Sequence, residues 1–398
     1  MSSNKYIKRF DTESEYDEFR YSNEYIRPNL SYVDETDNLH INELDCLKFI
    51  AKESNSTVKL TRVGSSSSLT NVVLQYSTDG LTWNNYPLNT VITLSNINNY
   101  VLFKGNNTRL GYDSNNYHQF VMTGKVAALG PISSLTSPDK QDKTLVSYMY
   151  YKLFYNCTSL TEAPELPATT LAEFCYKEMF SGCTSLTEAP MLPATTLVDS
   201  CYRNMFYGCT SLITAPELPA TTLAQYCYVC MFEDCTSLIT APALPATTLA
   251  RHCYGNMLRG CTSLTTAPAL PATTLAYGCY VDMFHDCTSL TTAPSLPATT
   301  LTNYCYGGLF MNCTSLTTAP DLPATNLAAN CYVEMFSGCT NLNYIKAMFI
   351  TTPSATYTSN WVNGVASTGT FIKNSAAEWN VIGANGIPSD WTIEYAAA

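Results

Sequence analysis

Cys157 to Gly182 reads CTSLTEAPELPATTLAEFCYKEMFSG, and this 26-residue unit returns down the chain with little change. Its first cysteine recurs as Cys183, Cys209, Cys235, Cys261, Cys287, Cys313 and Cys339. Its second, Cys175, recurs as Cys201, Cys227, Cys253, Cys279, Cys305 and Cys331, and every interval within a series is 26. A unit this short cannot enclose a core of its own, so each copy must bury its apolar face against its neighbours. The pattern predicts a solenoid of about eight 26-residue coils over 148–342.

The columns of the repeat separate inside from outside. Leu160, Ala163, Leu166, Leu171, Cys175, Met179 and Phe180 have near-invariant equivalents and should point inward. Glu173 and Phe174 become Asp199 and Ser200, then Gln225 and Tyr226, then Arg251 and His252, and should point outward. Leu160 to Leu166, with Pro164 and Pro167 making its ends irregular, predicts a strand; the spacing of Leu171 to Phe180 predicts about two helical turns. Each coil then reads as strand, turn, helix, an α/β solenoid, and parallel stacking at roughly 4.8 Å per coil gives a rod about 35 to 40 Å long. Such rods need caps. Tyr148 to Tyr155 reads as a starting half-coil, and 343–398, which abandons the period and supplies Trp361, Trp379 and Trp391, reads as the closing cap.

The rest of the chain predicts a multidomain protein. Residues 1–45 hold eleven Asp and Glu against five Lys and Arg, and Ile26-Arg27-Pro28-Asn29 imposes an extended path, as expected of an acidic anchoring arm. Residues 46–132 carry short strand-like runs, Thr57 to Val63, Val72 to Tyr76, Val91 to Leu94 and Tyr100 to Phe103, which predict a small β-sandwich. Within it, Asp79-Gly80 predicts a tight hairpin with Leu81-Thr82-Trp83 as the returning strand. Residues 133–147 read as a linker. The amino terminus lacks the apolar stretch of a secretory signal, no run approaches the roughly 20 apolar residues of a membrane span, and a net charge of −11 argues against nucleic acid. Neither nucleic-acid binding nor membrane insertion is expected.

Fifteen of the seventeen cysteines are repeat columns. Stacked side chains with parallel Cβ vectors are poorly placed for the disulfide torsion, so two buried free-thiol ladders are expected. Cys227 and Cys230 form the single Cys-x-x-Cys, but Glu178, Asn204 and Asn256 fill the Cys230 column elsewhere, and no second pair completes a zinc site. Neither metal nor cofactor is expected. His252, Asp282, His285 and Asp286 form the best local catalytic cluster, yet nothing in the sequence organises them, and no enzyme activity is expected. Tyr176, Tyr202, Tyr228, Tyr254, Tyr280, Tyr306 and Tyr332 predict a packed ladder with hydroxyls bonded at the coil edge. The changing column Phe174, Tyr226, His252 and Tyr304, with Tyr277 beside it, is the candidate ligand-binding surface, since exposed aromatics suit sugar rings or a partner protein.

Cys-Thr-Ser-Leu, a proline-bounded strand and Cys-Tyr-x-x-Met-Phe-x-x-Cys together resemble the BspA-type leucine-rich repeat of bacterial surface proteins, over about half of the chain. Tyr25-Ile26-Arg27-Pro28-Asn29-Leu30-Ser31-Tyr32, with Leu39-His40-Ile41-Asn42, resembles the amino-terminal segment of fibre-like virion proteins of gut tailed phages, crAss-like phages included. Tyr76-Ser77-Thr78-Asp79-Gly80 and Met122 to Ala128 are similar to modules that accompany such repeats. These resemblances imply a leucine-rich-repeat-type solenoid and a phage head or tail fibre at the virion surface. They also imply that Tyr25, Ile26, Arg27, Pro28, Asn29 and Tyr32 anchor it to a capsid or tail protein, that it is a trimer or dimer, and that it adheres to a host-surface glycan or protein. A bacterial cell-surface adhesin and a glycan depolymerase are the alternatives.

Overall fold

The computed structural model describes residues 32–33, 39–40, 46–69, 72–137 and 144–396. Two short strands, β1 (Tyr32–Val33) and β2 (Leu39–His40), pair antiparallel. The anchoring residues Tyr25, Ile26, Arg27, Pro28 and Asn29 lie outside the described residues, as does the side chain of Tyr32.

Nine strands follow: β3 (Leu47–Ala51), β4 (Ser56–Val63), β5 (Leu74–Ser77), β6 (Asn84–Asn85), β7 (Ile92–Leu94), β8 (Tyr100–Gly105), β9 (Gly111–Asp113), β10 (Asn116–Thr123) and β11 (Val126–Leu129). Period-2 alternation decides which side each strand buries. In β4, Ser56, Val58 and Leu60 are buried while Thr57, Lys59 and Thr61 are half-exposed. One sheet runs β7-β4-β10-β9; the other includes β11-β3-β8-β5-β6. Their buried faces meet through Phe49, Phe103 and Phe120, with ring centroids 4.8 to 5.8 Å apart.

The expected tight hairpin at Asp79-Gly80 is a wider loop. Asp79 Oδ1 accepts the N–H groups of Leu81 at 2.9 Å and Thr82 at 2.7 Å and the Ser77 hydroxyl at 2.8 Å, holding Leu81 to Trp83 out of the ladder. The return strand is β6, with Gln75 opposite Asn85.

The repeats stack, but not with the predicted helix. From Phe174 to Cys183 the backbone forms successive four-residue turns, and the donors divide by parity. Cys175, Lys177, Met179, Ser181 and Cys183 donate three residues back, within their own coil. Phe174, Tyr176, Glu178, Phe180 and Gly182 donate to carbonyls 25 residues ahead, in the next coil. Every fourth residue takes a left-handed conformation: Phe174 at φ 58°, Glu178 at 57° and Gly182 at 74°, and likewise Tyr226, Cys230 and Asp234 in a later coil. A helix would satisfy these groups internally; here half of them join neighbouring coils. The physical reason lies at the left-handed positions, where the Gly182 column holds only Gly, Asp and Asn: Gly208, Asp234, Gly260, Asp286, Asn312 and Gly338.

The strand side is also sparser than predicted. Only β12 (Leu160–Glu162) is continuous; beyond it the coils meet at single parallel bridges such as Glu188 to Thr214, Thr214 to Thr240 and Thr266 to Thr292. The prolines that punctuate each unit carry no N–H, so the ladder cannot propagate. Threonine hydroxyls take over part of the bonding: Thr291 Oγ1 reaches Thr265 O at 3.2 Å and Thr302 Oγ1 reaches Ala276 O at 2.8 Å, each one coil back.

The interior is a set of ladders. Tyr150, Tyr176, Tyr202, Tyr228, Tyr254, Tyr280, Tyr306 and Tyr332 stack with centroids 5.6 to 6.1 Å apart and planes within 10°. Phe154, Phe180, Phe206 and Phe232 stack beside them at 5.4 to 5.6 Å, and Phe284, Phe310 and Phe336 at 5.6 to 5.7 Å. Contrary to the expectation that each tyrosine hydroxyl is bonded at the coil edge, those of Tyr202 and Tyr254 are buried without a hydrogen-bond partner among the described residues. They lie inside the stack, and ring packing outweighs the hydroxyl's cost there.

Both ends are closed. β11 pairs parallel with β12, Val126 opposite Leu160, and Phe120 stacks on Phe154 at 5.4 Å, so the β unit seals the first coil. Ser133, Ser134, Thr136 and Ser137, in the segment read as linker, are buried, and Thr136 Oγ1 bonds the Tyr150 hydroxyl at 2.9 Å. At the far end the residue types abandon the period but the backbone does not. Tyr332, Glu334, Phe336 and Gly338 still donate 25 residues ahead, to Tyr357, Ser359, Trp361 and Asn363. β13 (Tyr344–Ala347), β14 (Thr370–Asn374) and β15 (Thr392–Ala396) form a parallel sheet, and a single helical turn, Ala355–Thr358, follows β13. Trp361, Trp379 and Trp391 are buried with their indole N–H groups bonded to the carbonyls of Gly386, Phe349 and Ala366. Core residues from Leu47 to Trp391 form one continuous cluster.

Candidate functional site

The outward aromatics sit on the turn side of the stack, at its first left-handed position. Phe174, Tyr226, His252 and Tyr304 have φ between 49° and 58°. A bulky residue there is strained by about 1 to 2 kcal/mol relative to its ordinary conformations. The same column accepts Ser200, Gly278 and Asn330, so the fold does not demand aromatics at it.

Four of the candidate residues form one run. Tyr226 stacks on His252 at 5.4 Å with planes 11° apart, His252 meets Tyr277 edge-on at 5.3 Å, and Tyr277 meets Tyr304 at 5.5 Å. Gly278 makes the step possible. A Cβ there would lie 2.5 Å from the His252 ring, so the aromatic moves one residue back to Tyr277. Arg251 lies 4.8 Å over the Tyr277 ring and Arg203 6.0 Å from that of Tyr226, contributing cation–π attraction. Burial, followed by Arg251, holds the His252 imidazole below its usual range.

The stacking limits what this run can do. Ring faces turned toward each other are unavailable to a sugar, so Tyr226 and His252 offer mainly their edges. Tyr277, 38 % exposed, is the most open ring of the run. Phe174 stands apart, stacked on Tyr148 at 4.7 Å beside Tyr151, Tyr117, Lys152 and Lys177. Lys152 and Lys177 converge on Glu178 at 3.1 and 3.4 Å. The sequence marks Arg251 only as an outward column residue and Tyr148 only as the start of the half-coil, not as members of the candidate surface; Tyr148 is legible as the Phe174 column one coil earlier.

His252 is drawn into the aromatic run, while Asp282, His285 and Asp286 gather by themselves. His285 Nδ1 lies 3.5 Å from Asp282 and its Nε2 3.4 Å from Asp286, and Asp286 also accepts from Asn312 Nδ2 at 2.9 Å. Among the described residues, no group of three or more His, Cys, Asp or Glu is arranged to hold a metal ion.

Seventeen free thiols are present, sixteen of them buried. In the first series each S–H donates to a main-chain carbonyl of the preceding layer at 2.9 to 3.2 Å: Cys157 to Phe120, Cys183 to Phe154, Cys209 to Phe180, Cys235 to Phe206, Cys261 to Phe232, Cys287 to Leu258, Cys313 to Phe284 and Cys339 to Phe310. Burial pushes Cys209 and Cys287 up to about 12, and Cys175 and Cys227 well above the usual thiol range. The thiolate, which is the nucleophile and metal ligand, is therefore disfavoured. Cys230, half-buried and left-handed, is raised by burial and by Glu233.

The fold and site define a repeat protein whose coils pair in parallel and whose turn face displays an aromatic run. Residues 147–269 match the family described as BspA type leucine-rich repeat region, in six copies. No curated protein and no solved structure matches the chain.

Proposed function

We propose that the chain is a phage virion structural protein, a head or tail fibre that displays an adhesive repeat solenoid. In this reading 1–45 is the arm that docks on a capsid or tail protein, with Tyr25, Ile26, Arg27, Pro28, Asn29 and Tyr32 as its contacts. The β-sandwich, 46–132, forms the base, about eight coils over 148–342 form the rod, and 343–398 closes it. Phe174, Tyr226, His252, Tyr277 and Tyr304 meet a host-surface glycan or protein. The observation that supports adhesion best is the aromatic run, held in strained backbone at a column where Ser200, Gly278 and Asn330 serve equally well for folding.

Because faces are spent on stacking, Tyr277 and the outer ends of the run carry the apolar contact, and the Tyr226 and Tyr304 hydroxyls carry hydrogen bonds to sugar hydroxyls. Tyr277→Ala should weaken attachment to host cells at least tenfold without altering the fold; unchanged attachment refutes this surface. Mass spectrometry of purified virions should find the protein, and a chain starting at Cys46 should fail to incorporate.

The match of 147–269 to BspA-type repeats favours a second reading, a bacterial cell-surface adhesin. Recovery of the protein from bacterial envelopes, and not from virions, selects that alternative.

A further inference from the structure

The coil has a second broad surface, the strand side, with a chemistry unlike that of the turn side. Its exposed columns descend as Thr187, Ile213, Ile239, Thr265 and Thr291, with Thr214, Thr240, Thr266 and Thr292 beside them. Exposed threonine pairs such as Thr247-Thr248 and Thr273-Thr274 flank these columns, with exposed prolines such as Pro245, Pro271 and Pro297 between. From Cys235 to Ala250, from Cys261 to Ala276 and from Cys287 to Asn303 there is no charged residue. The turn segments of the same coils hold Glu233, Asp234, Arg251, Arg259, Asp282 and Asp286.

This surface is more apolar than a threonine array suggests. Thr291 is exposed yet spends its hydroxyl on Thr265 O. Met191, 84 % exposed, Ile239, 54 % exposed, and Ile213, 46 % exposed, also lie on it. A monomer rarely exposes a contiguous apolar patch beyond a few hundred Å². Here the exposed part of each unit is about ten residues, or roughly 30 Å across if near-extended, so at about 4.8 Å per coil the three uncharged coils give roughly 430 Å². Six coils, which take in Glu188, Glu217 or Asp321 at the margins, give roughly 900 Å². The six-coil area reaches the roughly 800 Å² per partner of a stable interface.

We infer that the strand side is the face through which copies of this chain associate laterally. Two arguments select a second copy as the occupant. A copy has the identical coil pitch, so a contact made at one coil recurs at the next, whereas an unrelated globular surface would match only locally. The like surfaces also meet without like charges over the three uncharged coils, which self-association across a two-fold or three-fold axis requires. Glu188 and Glu217 toward one end and Asp321 toward the other bound this neutral window. The association leaves the aromatic run on the outside. It does not depend on the virion reading, since an adhesin would present the same face.

The test uses the full chain. Sedimentation velocity across micromolar concentrations should give a dimer or trimer. Thr266→Arg with Thr292→Arg should convert it to a monomer at unchanged circular dichroism, because positive charges then face each other. Asn303→Arg, on the exposed turn side, should leave the oligomer intact. A benzoylphenylalanine at position 292 should crosslink one copy to another, and this readout stands even if the arginine variants misfold. A monomeric wild-type chain overturns the inference, as does an oligomer indifferent to the Thr266 and Thr292 changes or a crosslink only to added host polysaccharide. Unchanged host attachment in Tyr277→Ala, with the oligomer retained, would count against the aromatic surface alone.

Discussion

Leu258 interrupts the phenylalanine ladder, between Phe232 in the coil before and Phe284 in the coil after. Its surroundings repeat those of its neighbours: Met257, Cys261 and Leu264 are fully buried, as are Met231, Cys235 and Leu238 around Phe232. The backbone is unchanged as well, since Leu258 O accepts the Cys287 thiol at 3.1 Å as the phenylalanine carbonyls do. The slot therefore matches one that elsewhere holds a ring. Leu258→Phe should restore two ring contacts of the kind seen at 5.6 Å between Phe206 and Phe232, and between Phe284 and Phe310. Each such contact is worth about 0.5 to 1.5 kcal/mol beyond burial, giving a gain of about 1 to 3 kcal/mol. Overpacking costs about 1 to 3 kcal/mol where a core has no room, but equivalent coils accommodate the ring already, so stabilisation wins. Repeat arrays need not unfold in one step, so the readout is local: hydrogen exchange in peptides spanning 250–262 should slow roughly 5- to 150-fold. Phe232→Leu should quicken exchange in its own coil comparably. Faster exchange in Leu258→Phe would refute the claim that coils share equivalent interior slots.

Three further outcomes follow from the same packing. Gly260→Ala places a Cβ 2.3 Å from Asp234 Oδ1 at φ +70°, whereas Gly208→Ala at φ +67° meets nothing within 4 Å. The second should lose about 1 to 2 kcal/mol for the left-handed backbone alone and the first visibly more, with Asp234→Gly restoring the difference in thermal melts. The fifteen ladder thiols should resist a disulfide reagent at pH 8 for hours in the native protein and react at once in guanidinium; rapid native labelling would contradict their burial. His118 is fully buried with Nδ1 3.0 Å from Leu110 O, and burial lowers its pKa below the unfolded value near 6.5. Unfolding then takes up a proton, so stability should be full above that value and fall as pH drops below it; a urea midpoint equal at pH 7.5 and pH 5 in wild type and His118→Gln would oppose this.

Much of the architecture is legible in the residues. The period of 26 identifies the stack, and the near-invariant apolar columns identify its interior, although the similarly constant columns of Pro245 and of Thr247-Thr248 lie largely exposed. The helix expected over Leu171 to Phe180 gives way to turns for a definable reason: Leu171, Cys175 and Met179 are four apart, which satisfies a helix and a succession of four-residue turns equally. The decisive signal was the Gly182 column, restricted to Gly, Asp and Asn, where a helix would admit alanine or lysine. The cap is legible as a cap but its periodic backbone is not, because the cysteine, tyrosine and phenylalanine columns lapse after Cys339 while only a lone signal such as Gly364, at φ 75°, continues the Gly182 column. The aromatic run was visible as residues but not as geometry, since nothing in Phe174, Tyr226, His252 or Tyr304 foretells that ring faces are spent on one another. The wide loop at Asp79 is a local Asx-type turn, in which one carboxylate oxygen collects three nearby donors, and the Asp79-Gly80 dipeptide fits that turn as well as a tight hairpin.

A crystal structure of the full chain tests the central claim most directly. The account predicts Cys209 Sγ within hydrogen-bonding reach of Phe180 O, Tyr176, Tyr202 and Tyr228 stacked near 5.9 Å, and the Tyr202 N–H bonded to Cys227 O in the following coil. Helices at 171–180, paired or metal-bound sulfurs in the cysteine columns, or repeats folded without bonds from coil to coil would contradict it.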